Sequence, residues 1–158
     1  MKWIVSEGGP LILLPKKALF SWSGYDGDDY ERVCGEEDYI GLLSVNGRQA
    51  LVLGDEPCQT AIFMSGWDSL ILVRWQWAED EESVFKHLKS ITPQSFENGD
   101  VLDYLTTGGE FLLFDAALPG HEAEGFDFNL AKGKYCIKTI CYEPDAETAL
   151  ILHAFIQN

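Results

Sequence analysis

Between Ser21 and Asp38 the chain reads SWSGYDGDDYERVCGEED, seven carboxylates against one cation, Arg32, with Trp22, Tyr25 and Tyr30 set among them. Carboxylates at this density can hold a hard cation or present an anionic surface to a basic partner. Spacing tests the first option. Asp26, Asp28 and Glu37 fall at positions 1, 3 and 12 of a twelve-residue EF-hand loop. Tyr30, however, stands at position 5, and Glu31 occupies position 6, where the turn needs glycine. No amphipathic helices flank the stretch. Two readings remain open. One is a solvated charged loop. The other is a protein-binding loop in which Trp22, Tyr25, Asp26, Asp28, Asp29, Tyr30, Glu31, Glu36, Glu37 and Asp38 face a partner, carboxylates supplying attraction and aromatic rings supplying anchors.

The other chemistry-bearing residues are scattered. His121-Glu122 opens like a zinc-binding HExxH, but Gly125 stands where the second histidine belongs and no helix is expected there. No metal site is expected at either stretch. Cys34, Cys58, Cys136 and Cys141 form no CxxC pair, and Cys136 and Cys141, five apart on one expected strand, point to opposite faces. Free thiols in a reducing compartment are the expectation. With no GxSxG elbow, no glycine-rich phosphate loop and no histidine cluster, neither catalysis nor a cofactor is expected.

The elements that position these residues are mostly strands. The centre is Tyr39–Pro57, where the apolar runs Ile40–Val45 and Gln49–Leu53 flank Asn46-Gly47, the dipeptide of a type I′ hairpin turn. The second run is nearly continuous in apolar residues, which predicts burial on both faces, and it stops at Gly54–Pro57. Further strands are predicted at Lys2–Ser6, Leu11–Leu14, Thr60–Met64, Ser69–Trp77, Glu110–Ala116, Phe126–Leu130, Tyr135–Tyr142 and Thr148–Phe155, the last placed centrally in a sheet. Within Ser69–Trp77, Ile71, Val73, Trp75 and Trp77 share one face, with Ile71, Val73 and Trp75 expected inside, and Arg74 on the opposite face needs a partner if covered. His153 reads as a core histidine.

Glu79–Ile91 is the one clear helix, with Val84, Phe85, Leu88 and Ile91 on its apolar face, Asp80 as cap, Glu81 and Glu82 in the first turn, and His87 on the polar side. A helical turn fits around Asp29–Val33. The expected fold is α+β, a mostly antiparallel, sandwich-like β-sheet with one amphipathic helix packed on it. It forms a single domain over 1–158, with 1–91 and 92–158 as possible packed halves.

The net charge is −15, from 26 acids and 11 Lys and Arg residues spread over both halves. Such a surface disfavours nucleic acid and anionic membrane and favours a basic partner. The N-terminus does not read as a signal peptide, and no apolar run approaches the ~20 residues of a membrane span.

Several stretches together resemble the immunity protein 21 family of bacterial polymorphic toxin systems. They are W-x-x-S-E-G-G-P-L-I-L-L-P from Trp3 to Pro15, Trp22-Ser23-Gly24, Asp29-Tyr30-Glu31-Arg32, Tyr39-Ile40-Gly41-Leu42, A-L-V-L-G-D-E-P from Ala50 to Pro57, Val73-Arg74-Trp75, and K-G-K-Y…Y-E-P-D-A-x-T-A-L-I-L-H from Lys132 to His153. The resemblance implies a non-enzymatic cytoplasmic protein that binds and neutralises a toxin; it carries no binding residue over to this chain. The acidic surface suits a basic toxin such as a nuclease, whose phosphate positions carboxylates can fill. The residues by themselves leave a second option, a small-ligand or carbohydrate-binding β-sandwich using Trp67, Trp75 and Trp77.

Overall fold

The computed structural model describes residues 1–54 and 56–158; Asp55, in the expected Gly54–Pro57 turn, lies outside the described residues. In chain order the elements are β1 (Trp3–Ile4), β2 (Leu11–Pro15), α1 (Asp29–Cys34), β3 (Gly41–Val45), β4 (Arg48–Leu53), β5 (Thr60–Met64) and β6 (Leu70–Trp77). Then follow α2 (Glu81–Leu88), β7 (Asp100–Thr106), β8 (Gly109–Asp115), β9 (Gly125–Leu130), β10 (Gly133–Asp145) and β11 (Thr148–Gln157), with short 3-10 turns between some of them. The class is α+β and mostly β, with two mostly antiparallel sheets. The helical turn expected near Asp29 is α1, so the described residues contain two α-helices where one was expected.

The chain forms two compact units. One comprises Met1–Trp3, Cys58–Asp103 and Tyr135–Asn158, the other Ile4–Pro57 and Tyr104–Lys134. Each draws on strands from both sides of residue 91.

The first unit is built on a six-stranded sheet in the order β1-β5-β6-β11-β10-β7. The apolar run Thr148–Phe155 sits inside it, between β6 and β10, because a strand apolar on both faces loses least where both faces are covered. Ile71 and Val73 of β6 share one face with Leu150, Leu152 and Ala154 of β11, and Val84 and Leu88 of α2 close over them. The helix starts because the Asp80 side chain accepts the Ser83 N–H at 2.8 Å, satisfying an N–H that has no partner inside the first turn. Phe85 lies at the margin of the apolar face, 39% exposed, edge-on to Phe63 and beneath the Lys89 ammonium at 4.3 Å. His87, expected on the polar side of the helix, meets Asp145 at 2.9 Å.

On the other face of this sheet Leu72, Ile151 and His153 are fully buried. His153 Nδ1 lies 2.8 Å from the Thr139 hydroxyl. Burial, with the nearby Arg74 charge adding to it, pushes His153 well below the ordinary histidine value, so the ring is neutral. The expected strands Tyr135–Tyr142 and Thr148–Phe155 leave five residues between them as a connection, but the observed connection is shorter. β10 runs on through Pro144 to Asp145, with a register irregularity between Tyr142 and Asp145, the kind of place where a strand tolerates proline.

The second unit is built on a five-stranded sheet in the order β3-β4-β2-β8-β9. Asn46 (φ 49°) and Gly47 (φ 73°) make the turn of the β3–β4 hairpin, and the register opens at Val45 opposite Arg48, as the dipeptide predicts. β4 pairs with β3 on one side and β2 on the other. Ala50, Leu51, Val52 and Leu53 are all buried, so the continuous apolar run has both faces covered. Ile12, Leu14, Ala50, Val52, Leu112 and Phe114 form one face, and irregular chain carrying Ala18 and Trp22, with Val33 of α1, covers it.

Candidate functional site

The acid-and-aromatic stretch lies in the second unit and divides into residues that hold it and residues that it displays. Trp22 holds it. Only 2% exposed, it packs on Ile12, Leu14 and Phe114, and its indole N–H donates to the Ala116 carbonyl at 3.1 Å. This corrects the expectation that Trp22 faces a partner. An indole this large gains more from burial than its exposed neighbours can, provided its N–H finds an acceptor, and here it does.

Tyr30 and Asp29 also belong mostly to the framework. Tyr30 is half-buried against the same core, with its ring end against Gly9, where any side chain would collide with the hydroxyl. Burial and then neighbouring Cys34 and Asp115 raise its phenol above the ordinary value. Asp29 accepts the Ser23 N–H at 2.8 Å, the Ser23 hydroxyl at 3.0 Å and an Arg32 Nη1–H at 2.8 Å. Burial pushes the Asp29 carboxyl up, but the Ser23 and Arg32 bonds outweigh it and hold the group below the ordinary aspartate value. Arg32 Nη2 also donates to the Ser44 carbonyl of β3 at 3.0 Å, which ties α1 to the sheet. The stretch's one cation is thus committed internally.

Glu36 is set into a cradle made by two glycines. A side chain at Gly41 would run into its carboxylate, and one at Gly54 would run into its methylenes. Its Oε1 accepts the Asp38 N–H at 3.1 Å. These contacts explain two glycines of the Tyr39–Pro57 stretch that strand periodicity leaves unexplained.

The remaining members, Tyr25, Asp26, Asp28, Glu31, Glu37 and Asp38, are exposed. Their setting includes a segment about a hundred residues away in sequence. Gly24 adopts φ +52° with Ala117 and Pro119 packed where its Cβ would stand, so only glycine fits. Tyr25 N–H donates to the Ala117 carbonyl at 2.9 Å, and Gly120 N–H donates to the Trp22 carbonyl at 2.8 Å. The Tyr25 hydroxyl donates to Glu122 Oε2 at 3.1 Å, and this bond, with the Glu122 charge, raises the phenol above its ordinary value. Phe20, in the 3-10 turn Lys16–Ser21, is 80% exposed, more than any other large apolar side chain among the described residues, and Tyr25 is 57% exposed. Sequence reasoning missed Phe20 and Glu122. Phe20 sits in no periodic pattern, and nothing local marks 120–122 as the neighbour of 22–25.

His121 and Glu122, the opening of the incomplete HExxH, lie on the 3-10 turn Gly120–Glu122, with His121 mostly exposed. Among the described residues no group of three or more His, Cys, Asp or Glu side chains is arranged to hold a metal ion. The four cysteines are free thiols.

The family model described as Immunity protein 21 matches residues 2–148 of the 158-residue chain. The chain belongs to the immunity protein 21 family. No curated protein and no solved structure matches. Family membership gives the exposed acid-and-aromatic face a context, because an immunity protein acts on a toxin. Among the described residues no helix is long and apolar enough to cross a membrane.

Proposed function

We propose that this chain protects the cytoplasm by binding its cognate toxin domain directly, without catalysis, and that the partner is basic, such as a nuclease. The exposed residues Tyr25, Asp26, Asp28, Glu31, Glu37 and Asp38, with Phe20 of the preceding 3-10 turn, form the contact surface. The observation carrying this reading is the division of labour within one stretch. Trp22, Asp29, Arg32 and Glu36 lock the backbone, while five carboxylates and an exposed aromatic pair point outward, and among the described residues none of these carboxylates forms an ion pair. Preorganised carboxylates attract a cationic cleft over a long range and can occupy its phosphate positions, and aromatic side chains at the centre supply the dry contact that charge alone lacks. The ligand-binding alternative loses two of its three tryptophans to packing: Trp75 meets Trp3 edge-on at 5.2 Å, and Trp67 meets Phe96 at 6.1 Å.

Binding kinetics against the toxin domain encoded beside this chain test the reading. Asp26→Asn, Asp28→Asn and Glu31→Gln together slow association and flatten its salt dependence, because charges beyond ~10 Å are screened at 0.1 M. Tyr25→Ala or Phe20→Ala speeds dissociation, by about 2 kcal/mol for a hot spot. If all these variants keep both rates and full protection, the interface lies elsewhere.

A further inference from the structure

At the hairpin end of the five-stranded sheet, the β3–β4 turn, the C-terminal end of β7 with Thr107, and Lys132 border a cleft of about 260 Å³. It lies within the second unit, and none of the contact residues proposed above lines it. Two of the chain's 11 cations, Arg48 and Lys132, line it, and among the described residues no carboxylate does. Arg48 is half-buried and, among the described residues, joins no carboxylate. In a chain of net charge −15, a half-buried guanidinium that joins no carboxylate leaves its charge to be met by solvent or by an anion from outside.

The hydrogen-bond accounting points the same way. Gln49 Oε1 accepts the Leu105 N–H at 2.7 Å, so what the amide still offers is its NH2. Thr106 Oγ1 accepts the Gly108 N–H at 3.0 Å, which leaves the hydroxyl proton to donate. The polar lining is therefore rich in donors and short of acceptors. The remaining wall is apolar, formed by Pro15 and by Leu105, which is 64% exposed.

We propose that this cleft binds a carboxylate that carries a short apolar group. Arg48 engages the two oxygens as a fork, Lys132, Gln49 and Thr106 complete their coordination, and the apolar group lies on Leu105 and Pro15. A monoanion fits better than a phosphate. It meets half the repulsion from the chain's negative field, and only an apolar tail uses the Leu105 wall. Such a group occurs in a free branched carboxylic acid and at the C-terminus of a polypeptide ending in an aliphatic residue.

The test is an NMR titration of the intact 15N-labelled chain. 4-Methylpentanoate is expected to shift the Gly47, Thr106 and Thr107 amides saturably, acetate, inorganic phosphate and 4-methylpentan-1-ol more weakly. Arg48→Gln should weaken 4-methylpentanoate roughly 10- to 100-fold, the range for a lost charge-assisted bond, with the melting temperature unchanged because no ion pair is lost. Lys132→Gln, at an exposed position, provides a second variant with a several-fold loss. A short peptide ending in leucine, compared with its C-terminal amide, separates the sources. Tighter binding of the free-carboxylate peptide than of 4-methylpentanoate assigns the cleft to polypeptide termini, and weaker binding assigns it to free acids. The proposal is overturned if 4-methylpentanoate shows no saturation at about 10 mM, ten times a 1 mM Kd, if Arg48→Gln binds like the parent chain, or if phosphate binds as tightly.

Discussion

The two sheets cover an apolar face in different ways. The six-stranded sheet uses α2, a regular helix whose backbone bonds are internal and whose end is closed by its own cap, Asp80. The five-stranded sheet uses irregular chain, 3-10 turns with the six-residue α1, whose backbone must find partners one by one. The bonds from Tyr25 N to Ala117 and Gly120 N to Trp22 are that satisfaction, and the Trp22 indole N–H adds a side-chain bond to Ala116. A regular cover turns a predictable stripe outward. An irregular one, fixed by tertiary bonds, can display Phe20, Tyr25 and carboxylates in an arrangement no helix offers, and the proposed contact surface lies there.

The sharpest way to break this contrast is to remove the anchor of each cover. Trp22→Ala should cost about 3–5 kcal/mol and Leu88→Ala about 2–5 kcal/mol, measured by urea unfolding. A Trp22→Ala cost within ~0.5 kcal/mol, the range of an ordinary surface substitution, would show that the loop does not seal the second sheet.

Acid should separate the units next. His153 titrates well below its unfolded value of 6.5, so the unfolded chain binds the extra proton first, and stability is complete above that pH and falls below it. The slope reaches about 1.4 kcal/mol per pH unit until the folded pKa is passed. Asp29 in the other unit is also lowered, from 3.8, so its contribution is present above that value and lost only as pH drops through its folded pKa. Unfolding of His153→Gln between pH 6.5 and 4 should show a flatter decline than the parent chain. An identical decline would assign the loss to other groups.

A smaller effect checks the helix. Asp80→Ala removes the acceptor for Ser83 N–H and should cost about 1 kcal/mol, with faster amide exchange confined to the first turn of α2. The smallest stability change is expected on the displayed face, where Phe20→Ser should fall within ~0.5 kcal/mol while toxin affinity drops. Loss of stability without loss of affinity would make Phe20 part of the cover and not of the surface.

Strands were legible wherever periodicity or a turn dipeptide marked them. Thr60–Met64 matches β5 residue for residue, Asn46-Gly47 turns as a type I′ hairpin, and the apolar Thr148–Phe155 run lies inside its sheet. The Asp80 cap was legible too, because the aspartate, the first turn and the dipole are neighbours in sequence. The continuation of β10 past Tyr142 through Pro144 is not legible, because nothing local announces an irregularity in a strand. Phe85 was placed inward because helical spacing gives a face but not its margin.

Composition and pattern alone determined the class, the acidic surface and the stretch that is most densely charged, since these depend on short-range chemistry and on counting. Only the tertiary structure decided which members of that stretch are structural. Trp22 is buried because Ala116, 94 residues away, accepts its N–H, and Glu36 is sheltered because Gly41 and Gly54 make room. Tyr25 is set beside Glu122 by backbone bonds to residues 117 and 120. A residue's type gives what it can bond to, while burial and partner are properties of the chain brought together from afar, and local sequence carries no record of that distance.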